Sequence, residues 1–321
     1  MGGPPLETGN RKSDRFAFGR NWQRYLDRHL TPAAVTRAEA QTASFLKMPS
    51  LLGKSFLDIG CGSGLFSYAA YRMGAKAIVS FDYDADAVAA TKRLHEQAGS
   101  PAHWRITQGS ILDAAFVETL PKADIVYSWG VLHHTGEMWK AMRNAARLVS
   151  PGGSFFVAIY NKQEYRTFRS LRGSHLWLKV KKIYNRGGWP ARLILEGSYR
   201  GVDVAKMLLR LQNPFRDIEA YSASSRGMSW NVDITDWLGG LPYEFASVDE
   251  VFRFCRDECG LELRNLKSTV SWGCNQFLFE RPNGLLDGRP ETDAHSDSAV
   301  SDMRSAARER AACASSPASR T

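Results

Sequence analysis

A set of carboxylates and glycines stands at spacings suited to holding a cationic nucleotide. The segment Phe56-Leu57-Asp58-Ile59-Gly60-Cys61-Gly62-Ser63-Gly64 joins an apolar run to a helical pattern. Gly60, Gly62 and Gly64 admit positive φ and let a ligand approach the backbone, and the following helix start offers unpaired N–H groups. The spacing is GxGxG, unlike the GxGxxG of a dinucleotide site, and no Lys-Ser/Thr pair of a phosphate loop follows. Asp58, just before the glycines, would repel a pyrophosphate but attract an ammonium. Asp82, 22 residues after Gly60, ends the next apolar run, where it suits a bidentate contact to two ribose hydroxyls. Asp113, closing Gly109-Ser110-Ile111-Leu112-Asp113, can accept from an adenine amino group, while Tyr83 with Ile111 or Leu112 can sandwich the ring. Together these residues point to a positively charged adenosyl ligand rather than a nicotinamide or flavin dinucleotide.

A second group has the chemistry of an acceptor site. In Trp129-Gly130-Val131-Leu132-His133-His134-Thr135 the paired histidines follow an apolar run, and an imidazole suits proton removal near neutrality. Adjacent side chains diverge, so His133 and His134 do not easily serve the same proton; either is a candidate base, and packing or capping is the competing role. Tyr160 and Asn161 end the next apolar run and can orient a polar substrate, although an Asn there also suits a turn. Further on, Trp230, Asp233, Asp236, Trp237 and Tyr243-Glu244-Phe245 have the composition of an amphipathic pocket, or of a packed helical segment. Cys255 and Cys259 are spaced i, i+4 with Cys274 nearby in sequence and no histidine beside them, which reads as buried apolar thiols rather than a metal site.

These residues need a frame. Strand patterns at 54–59, 77–81, 103–108, 123–128 and 154–160 alternate with helical patterns at 65–73, 85–98 and 137–148, the rhythm of a parallel sheet covered on both faces. The rhythm breaks at 161 and returns as a helix at 247–259 and strands at 263–268 and 276–280. A structureless loop of that length does not suit a compact domain, so 162–246 reads as a mostly helical inserted cap. Ahead of the core, 15–49 reads as helical, with Thr31 capping a helix that starts at Pro32. Residues 1–14 and 282–321 read as disordered, leaving 50–161 with 247–281 as the catalytic core.

The 321 residues are 44% hydrophobic and carry a formal charge of +9. From 162 to 192 there are nine Lys or Arg against Glu164, so this segment holds +8 of the total and the rest is nearly neutral. Aromatic and aliphatic residues alternate with those charges, as on an amphipathic helix with its apolar face on the core and Lys and Arg in solvent. The same pattern suits a platform for a polyanion such as RNA, or contact with a membrane surface, both less well than a solvated face. No run of eighteen apolar residues occurs, the start lacks a secretory signal, and five scattered cysteines fit a reducing compartment, so the expected location is cytoplasmic.

The LDIGCGSG loop, FDYD with Asp82, GSILD with Asp113, and ADIVYSWGVLHHTG resemble the class I S-adenosylmethionine-dependent methyltransferases, closest to the small-molecule branch of ubiquinone, menaquinone and natural-product biosynthesis. That resemblance covers about 50–160 and 248–281. It implies an α/β Rossmann-like seven-stranded sheet of order 3-2-1-4-5-7-6, strand seven antiparallel, with helices on both faces. It implies S-adenosylmethionine as cofactor, with Asp58, Gly60, Cys61, Gly62 and Gly64 at its methionine and ribose side. Asp82 and Tyr83 would then meet the ribose and ring, Ser110, Ile111, Leu112 and Asp113 the adenine, and Trp129 and Gly130 the methionine. Trp22 and Tyr25 resemble the helical lid over cofactor and substrate, and Tyr160, Asn161, Trp230, Asp233 and Glu244 would face the acceptor. WGVLHH stands in place of the NPPY-type signature of adenine and glutamine-amide enzymes. The implied reaction is methyl transfer to a small metabolite, foremost at a hydroxyl oxygen. Nitrogen of a small amine, or RNA or protein held by the basic segment, is the alternative; no stable nucleic-acid contact is expected.

Overall fold

The computed structural model describes residues 19, 22–23, 26–27, 30–163, 166–167, 171–224, 230–270 and 273–284. Tyr25, Trp272, the expected disordered start and most of the expected tail lie outside the described residues.

The core alternates strands and helices: α1 (Pro32–Leu46), β1 (Ser55–Ile59), α2 (Leu65–Arg72), β2 (Ala77–Asp82), α3 (Ala85–Gln97), β3 (Trp104–Gln108), α4 (Ala114–Glu118), β4 (Ala123–Trp129), α5 (Met138–Arg147) and β5 (Val149–Tyr160). A cap follows, with α6 (Gly173–Arg186), α7 (Gly188–Leu209), α8 (Pro214–Ser224) and α9 (Trp230–Gly239). The chain then returns through α10 (Val248–Arg253), β6 (Glu262–Lys267) and β7 (Cys274–Glu280). The seven strands lie in the order 3-2-1-4-5-7-6. Strands β1 to β5 pair in parallel, and β7 runs antiparallel to both β5 and β6. The expected α/β fold with its helical insert is therefore present.

Period-two alternation explains why the sheet is covered on both faces. Leu57, Ile59, Val126, Phe155, Val157, Ile159, Phe277 and Phe279 pack to one side, with Met142 and Ala145 of α5 and Val251 of α10. Phe56, Ile125, Tyr127, Phe156, Ala158 and Leu278 pack to the other, against α1, α2 and α3. Phe156 stacks on Tyr127 at 4.4 Å and meets Phe45 of α1 edge-on at 4.9 Å. Truncating such a ring to Ala costs about 3–5 kcal/mol.

Local differences from the sequence reading have local causes. The Pro151-Gly152-Gly153 turn is taken up as an irregularity inside β5, where Val149 pairs with Ala123 and Ser154 with Ile125. At five residues α4 is too short to show a helical period, and it begins because Asp113 caps it. The 247–259 helix opens on a Ser247/Glu250 capping box but passes into a π turn at Phe254–Glu258, so Cys255 and Cys259 do not sit at α-helical spacing.

The cap has its own small core of Tyr184, Trp230, Ile234 and Leu238. The basic segment does not keep all its charges in solvent: Lys181 is fully buried, donating to the Trp237 carbonyl, with its ammonium 4.8 Å from the centroids of both Trp237 and Tyr243.

Candidate active site

The carboxyl ends of β1, β2 and β4 open into a cavity of about 730 Å³ that extends under the cap, within the usual range for small-molecule sites. One half is built by strand ends. Gly60 lies at φ +73°, and a methyl there would fall 2.3 Å from Val131, so only glycine fits the turn. A methyl on Gly62 would come 3.1 Å from the Trp22 indole, which places Trp22 over the glycine loop. The Gly62 amide donates to Asp82 Oδ2 at 3.0 Å and the Asp84 amide to Asp82 Oδ1 at 2.9 Å. Each oxygen keeps a second acceptor site for a hydroxyl.

Asp58 is buried and accepts from Ser67 Oγ at 2.5 Å; Ser67 meets Ser80 Oγ at 2.7 Å, and Ser80 accepts from Trp104 Nε1 at 2.9 Å. Burial pushes the Asp58 carboxyl up to about 7 and that of Asp82 up to about 6, against the stabilising hydrogen bonds each receives. Two carboxyls held above their ordinary range make a pair that a bound cation would ionise. Cys61 accepts from Thr91 Oγ1 at 3.2 Å, and burial raises its thiol well above the ordinary value, so it is no thiolate nucleophile. Tyr83, Ser110, Ile111, Leu112, Trp129 and Gly130 complete this wall.

The other half is built by the cap and by the loop after β4. His134 and Tyr160 stand at the junction, with Trp230, Asp233, Asp236 and Trp237 from α9. His134 Nδ1 lies 2.6 Å from the Pro242 carbonyl. A carbonyl only accepts, so Nδ1 carries the proton, and in the neutral ring Nε2 is the basic nitrogen. Tyr160 packs its ring 3.9 Å from His133, 5.3 Å from His134 and 5.3 Å from Trp237. Lys181 sits behind Trp237 and Tyr243, where burial lowers its ammonium to about 7 against the pull of Asp236. Asp233 accepts from the Tyr221 hydroxyl, and Asp203 from Trp230 Nε1 at 3.3 Å.

Several expected site residues stand off the cavity. His133 is fully buried, and its Nδ1 accepts from the Tyr160 amide at 3.3 Å, so it supports the loop from beneath. Asp113 is exposed and accepts from the Phe116 amide at 3.3 Å as the cap of α4. Glu244 accepts from the amides of Gly136 (2.9 Å) and Met138 (3.1 Å), closing the N-terminus of α5, where the helix dipole favours a carboxylate. Asn161 donates to the Thr269 carbonyl at 2.7 Å and accepts from Asn275 Nδ2 at 3.0 Å, tying β5 to the final hairpin. Gly64 caps α2, and a methyl there would sit 2.8 Å from Thr91, a demand of helix packing. The cap contributes wall residues that the sequence reading did not single out: Tyr199 and Asp203 of α7 and Tyr221 of α8. Their one signal is an i, i+4 polar pair on the inner side of an apolar helix.

Residues 241–246 work as a strap across the loop that follows β4. Besides the Pro242 and Glu244 contacts, the Glu244 amide donates to the His133 carbonyl at 2.9 Å, and the Ala246 amide to Tyr160 at 3.1 Å. The cap thus returns to the core through the segment that fixes both histidines.

Residues 57–157 match the family model described as a methyltransferase domain. A ubiquinone biosynthesis O-methyltransferase of Methylobacterium sp. (strain 4-46) is 32% identical over 145 residues, 40% of this chain and 54% of that protein. Another, of Pseudomonas aeruginosa (strain LESB58), is 30% identical over 159 residues, 46% of this chain and 66% of that protein. Among solved structures, the magnesium protoporphyrin IX methyltransferase of Synechocystis PCC 6803 with bound SAH aligns over 82% of this chain and 93% of that one, with 13% identity and a TM-score of 0.46. The chain spans about half to two thirds of the length of the curated relatives it matches. Residues 57–157 are thus similar to a methyltransferase domain, and the chain resembles the class I S-adenosylmethionine-dependent methyltransferases, in the branch that holds the ubiquinone-biosynthesis O-methyltransferases.

Proposed function

We propose that the protein transfers a methyl group from S-adenosylmethionine to a hydroxyl oxygen of a small acceptor held between the strand ends and the cap. The observation that carries this reading is the single cavity that joins the Asp58/Asp82 glycine-loop half to a half with His134 at the junction. The cofactor supplies a methyl already activated by a sulfonium charge.

The residues present fit such a ligand. Asp82 offers an acceptor site on each oxygen for two hydroxyls, while Asp58 and Asp82 become favourable carboxylates beside a cation. Ile111 and Leu112 with Tyr83 provide apolar faces for a base. Because Asp113 caps α4, Ser110 is the polar side chain of its motif that remains on the cavity wall.

His134 is the proposed base. Its Nε2 takes the proton of the acceptor hydroxyl as the oxygen gains the methyl, and the resulting imidazolium keeps its Nδ1 hydrogen bond to Pro242. Tyr160 and Trp237 hold the acceptor against that nitrogen and exclude water. His133, Glu244 and Asn161 position the loop and the strap.

Single-turnover methylation of a catechol or phenol panel by the His134→Ala protein, with cofactor affinity measured in parallel, tests the assignment. A normal rate with the favoured acceptor would remove His134 from the chemistry. A second reading, methylation of a small amine, draws on Asp203, Asp233 and Asp236 in the acceptor wall, which suit a cationic partner. An amine panel in the same assay separates the two.

A further inference from the structure

We propose that the outer face of α7 is the contact through which two copies of the chain pair, helix against helix about a two-fold axis. None of the 22 residues of α7 is buried. Tyr199 and Asp203 turn inward to line the cavity. At helical spacing the residues turned the opposite way are Leu193, Ile194, Gly197, Gly201, Ala205 and Leu208, all exposed. Leu193 is 64% exposed and Ile194 65%, with Trp189 at 76% and Leu209 at 85% towards the two ends. An apolar face of this extent calls for a partner.

No charged residue lies on that face. Arg192, Glu196, Arg200, Asp203 and Lys206 fall outside it, and each is engaged by its own chain. Arg200 donates to Glu196 at 2.8 Å, Lys206 lies 3.9 Å from Asp203, and the Arg192 guanidinium sits 5.7 Å over the Tyr184 ring. The face therefore suits an apolar partner.

The glycines say what shape that partner has. Gly197 and Gly201 stand inside the helix, and nothing lies within 4 Å of a Cβ added at either. Neither a turn nor a close contact within the chain asks for glycine there, although each costs a helix about 0.8–1 kcal/mol against Ala. Four residues apart, they leave a flat strip where a second backbone can come close, and a helix is the shape that gains from it.

The order of side chains along the strip makes that helix α7 of a second copy. At the roughly 50° crossing that lays the i, i+4 rows of two helices along each other, an axis midway between the glycines sets Gly197 beside Gly201 of the second copy. The same axis sets Leu193 beside Ala205 of the second copy, large against small, and every contact is made twice. The area is of the right order. At on the order of 100 Å² for an exposed aliphatic side chain and about 200 Å² for an indole, α7 offers several hundred Å² per copy, against the roughly 800 Å² per partner of a standard interface. Leu211 and Phe215, just past the helix and 95% and 87% exposed, come in addition. Because Tyr199 and Asp203 wall the cavity from the other side of the same helix, the paired helices back the cap half of the site.

Sedimentation velocity of the full chain over a range of concentrations tests the proposal without any catalytic readout, so it stands or falls apart from the proposed reaction. The chain should dimerise at micromolar concentration, and the dimer should persist in added salt because the face carries no charge. Gly197→Leu/Gly201→Leu should raise the dissociation constant by more than about tenfold. Its thermal melt as a diluted monomer should stay level or rise, since leucine enters open space and a helix prefers it to glycine. Leu193→Ser/Leu208→Ser should weaken the dimer comparably, and this variant keeps the test decisive if the first fails to fold. A chain that is monomeric throughout overturns the proposal, including one that instead co-sediments with phosphatidylcholine/phosphatidylglycerol vesicles. So does a dimer that keeps its affinity in either folded variant, because it then rests on another surface.

Discussion

The two halves of the cavity are built by opposite rules. The cofactor half takes its residues from loops that leave neighbouring parallel strands, each within a few residues of a strand end, so the sheet order alone brings Asp58, Gly60, Asp82 and Ser110 together. The cap half collects Tyr199, Asp203, Tyr221, Trp230 and Asp236 from three helices, and it reaches the core through a strap that grips the loop after β4. The first is a rigid consequence of topology. The second depends on tertiary contacts of side chains that have no fixed spacing, so one core can accept many caps.

The sharpest contrast lies between two adjacent histidines. His134 faces the cavity with Nδ1 fixed on Pro242, whereas His133 is sealed beneath Tyr160. His134→Ala should lower the single-turnover rate by roughly 10²–10⁴ with cofactor affinity nearly unchanged. His133→Ala should instead lower the melting temperature, because it leaves a hole under the loop, and lower the rate only in so far as Tyr160 moves. Equal rate losses with equal stability losses in both variants would mean that the loop acts as one structural unit and that neither ring is the base.

A smaller effect belongs to the cofactor half alone. Asp82→Ala removes an acceptor for two hydroxyls and should weaken S-adenosylmethionine by about 1.5–3 kcal/mol, roughly 10- to 150-fold, as calorimetry would read. The pH dependence carries a sign. Folded-state values of about 7 for Asp58 and about 6 for Asp82 lie above the ordinary carboxyl value. The ligand-free fold therefore holds stability from these groups at low pH and loses it as pH rises through 6 and 7. A cationic ligand reverses the preference, so affinity should climb from about pH 5 to about pH 8 with proton release, then level. Affinity that falls over this interval would exclude the two carboxylates from the cation site.

Lys181 offers the matching test in the cap. Its ammonium, lowered to about 7 by burial between Trp237 and Tyr243, is protonated well above that pH in the unfolded chain. The unfolded state then binds more protons between pH 7 and 10, and stability should rise with pH there by at most about 1.4 kcal/mol per unit. Lys181→Met should lack that slope, and urea unfolding of both proteins at several pH values would show it. Parallel curves would mean that the lysine is charged and compensated in the fold.

How much was legible follows the same division. The strand and helix alternation, the GxGxG turn and the acid closing β2 are local patterns that the fold needs at fixed places, and all stand in the sequence. Lys181 and Lys182 differ by one position on a helix, and only the packing of α9 against α6 decides which of them is buried. Glu244 has the composition of a ligand contact, but the open N-terminus of α5 is closer than any cavity, and that end is invisible until the strap is placed. Asn161 is likewise claimed by the hairpin amides before a substrate can meet it.

The smallest expected effect concerns Asp113, a residue that the motif assigns to the cofactor and the geometry assigns to a helix end. Its carboxylate accepts from the Phe116 amide and starts a five-residue helix whose residues are none of them buried, while Ser110, Ile111 and Leu112 of the same motif reach the cavity wall. An N-cap exchanged for Ala costs about 0.5–2 kcal/mol, and a helix this short and exposed places the expectation near the lower end. A side chain off the wall contributes to ligand affinity only through the loop it holds, so Asp113→Ala should change S-adenosylmethionine binding by less than about threefold. Asp113→Asn, which retains a capping oxygen, should restore most of the stability. The two variants separate the roles: a cap follows the melting temperature, with Asn close to wild type, whereas an adenine contact follows the calorimetric affinity, with both variants weakened by tenfold or more. The second outcome would return Asp113 to the cofactor and require the 110–113 turn to swing inward when the nucleotide binds.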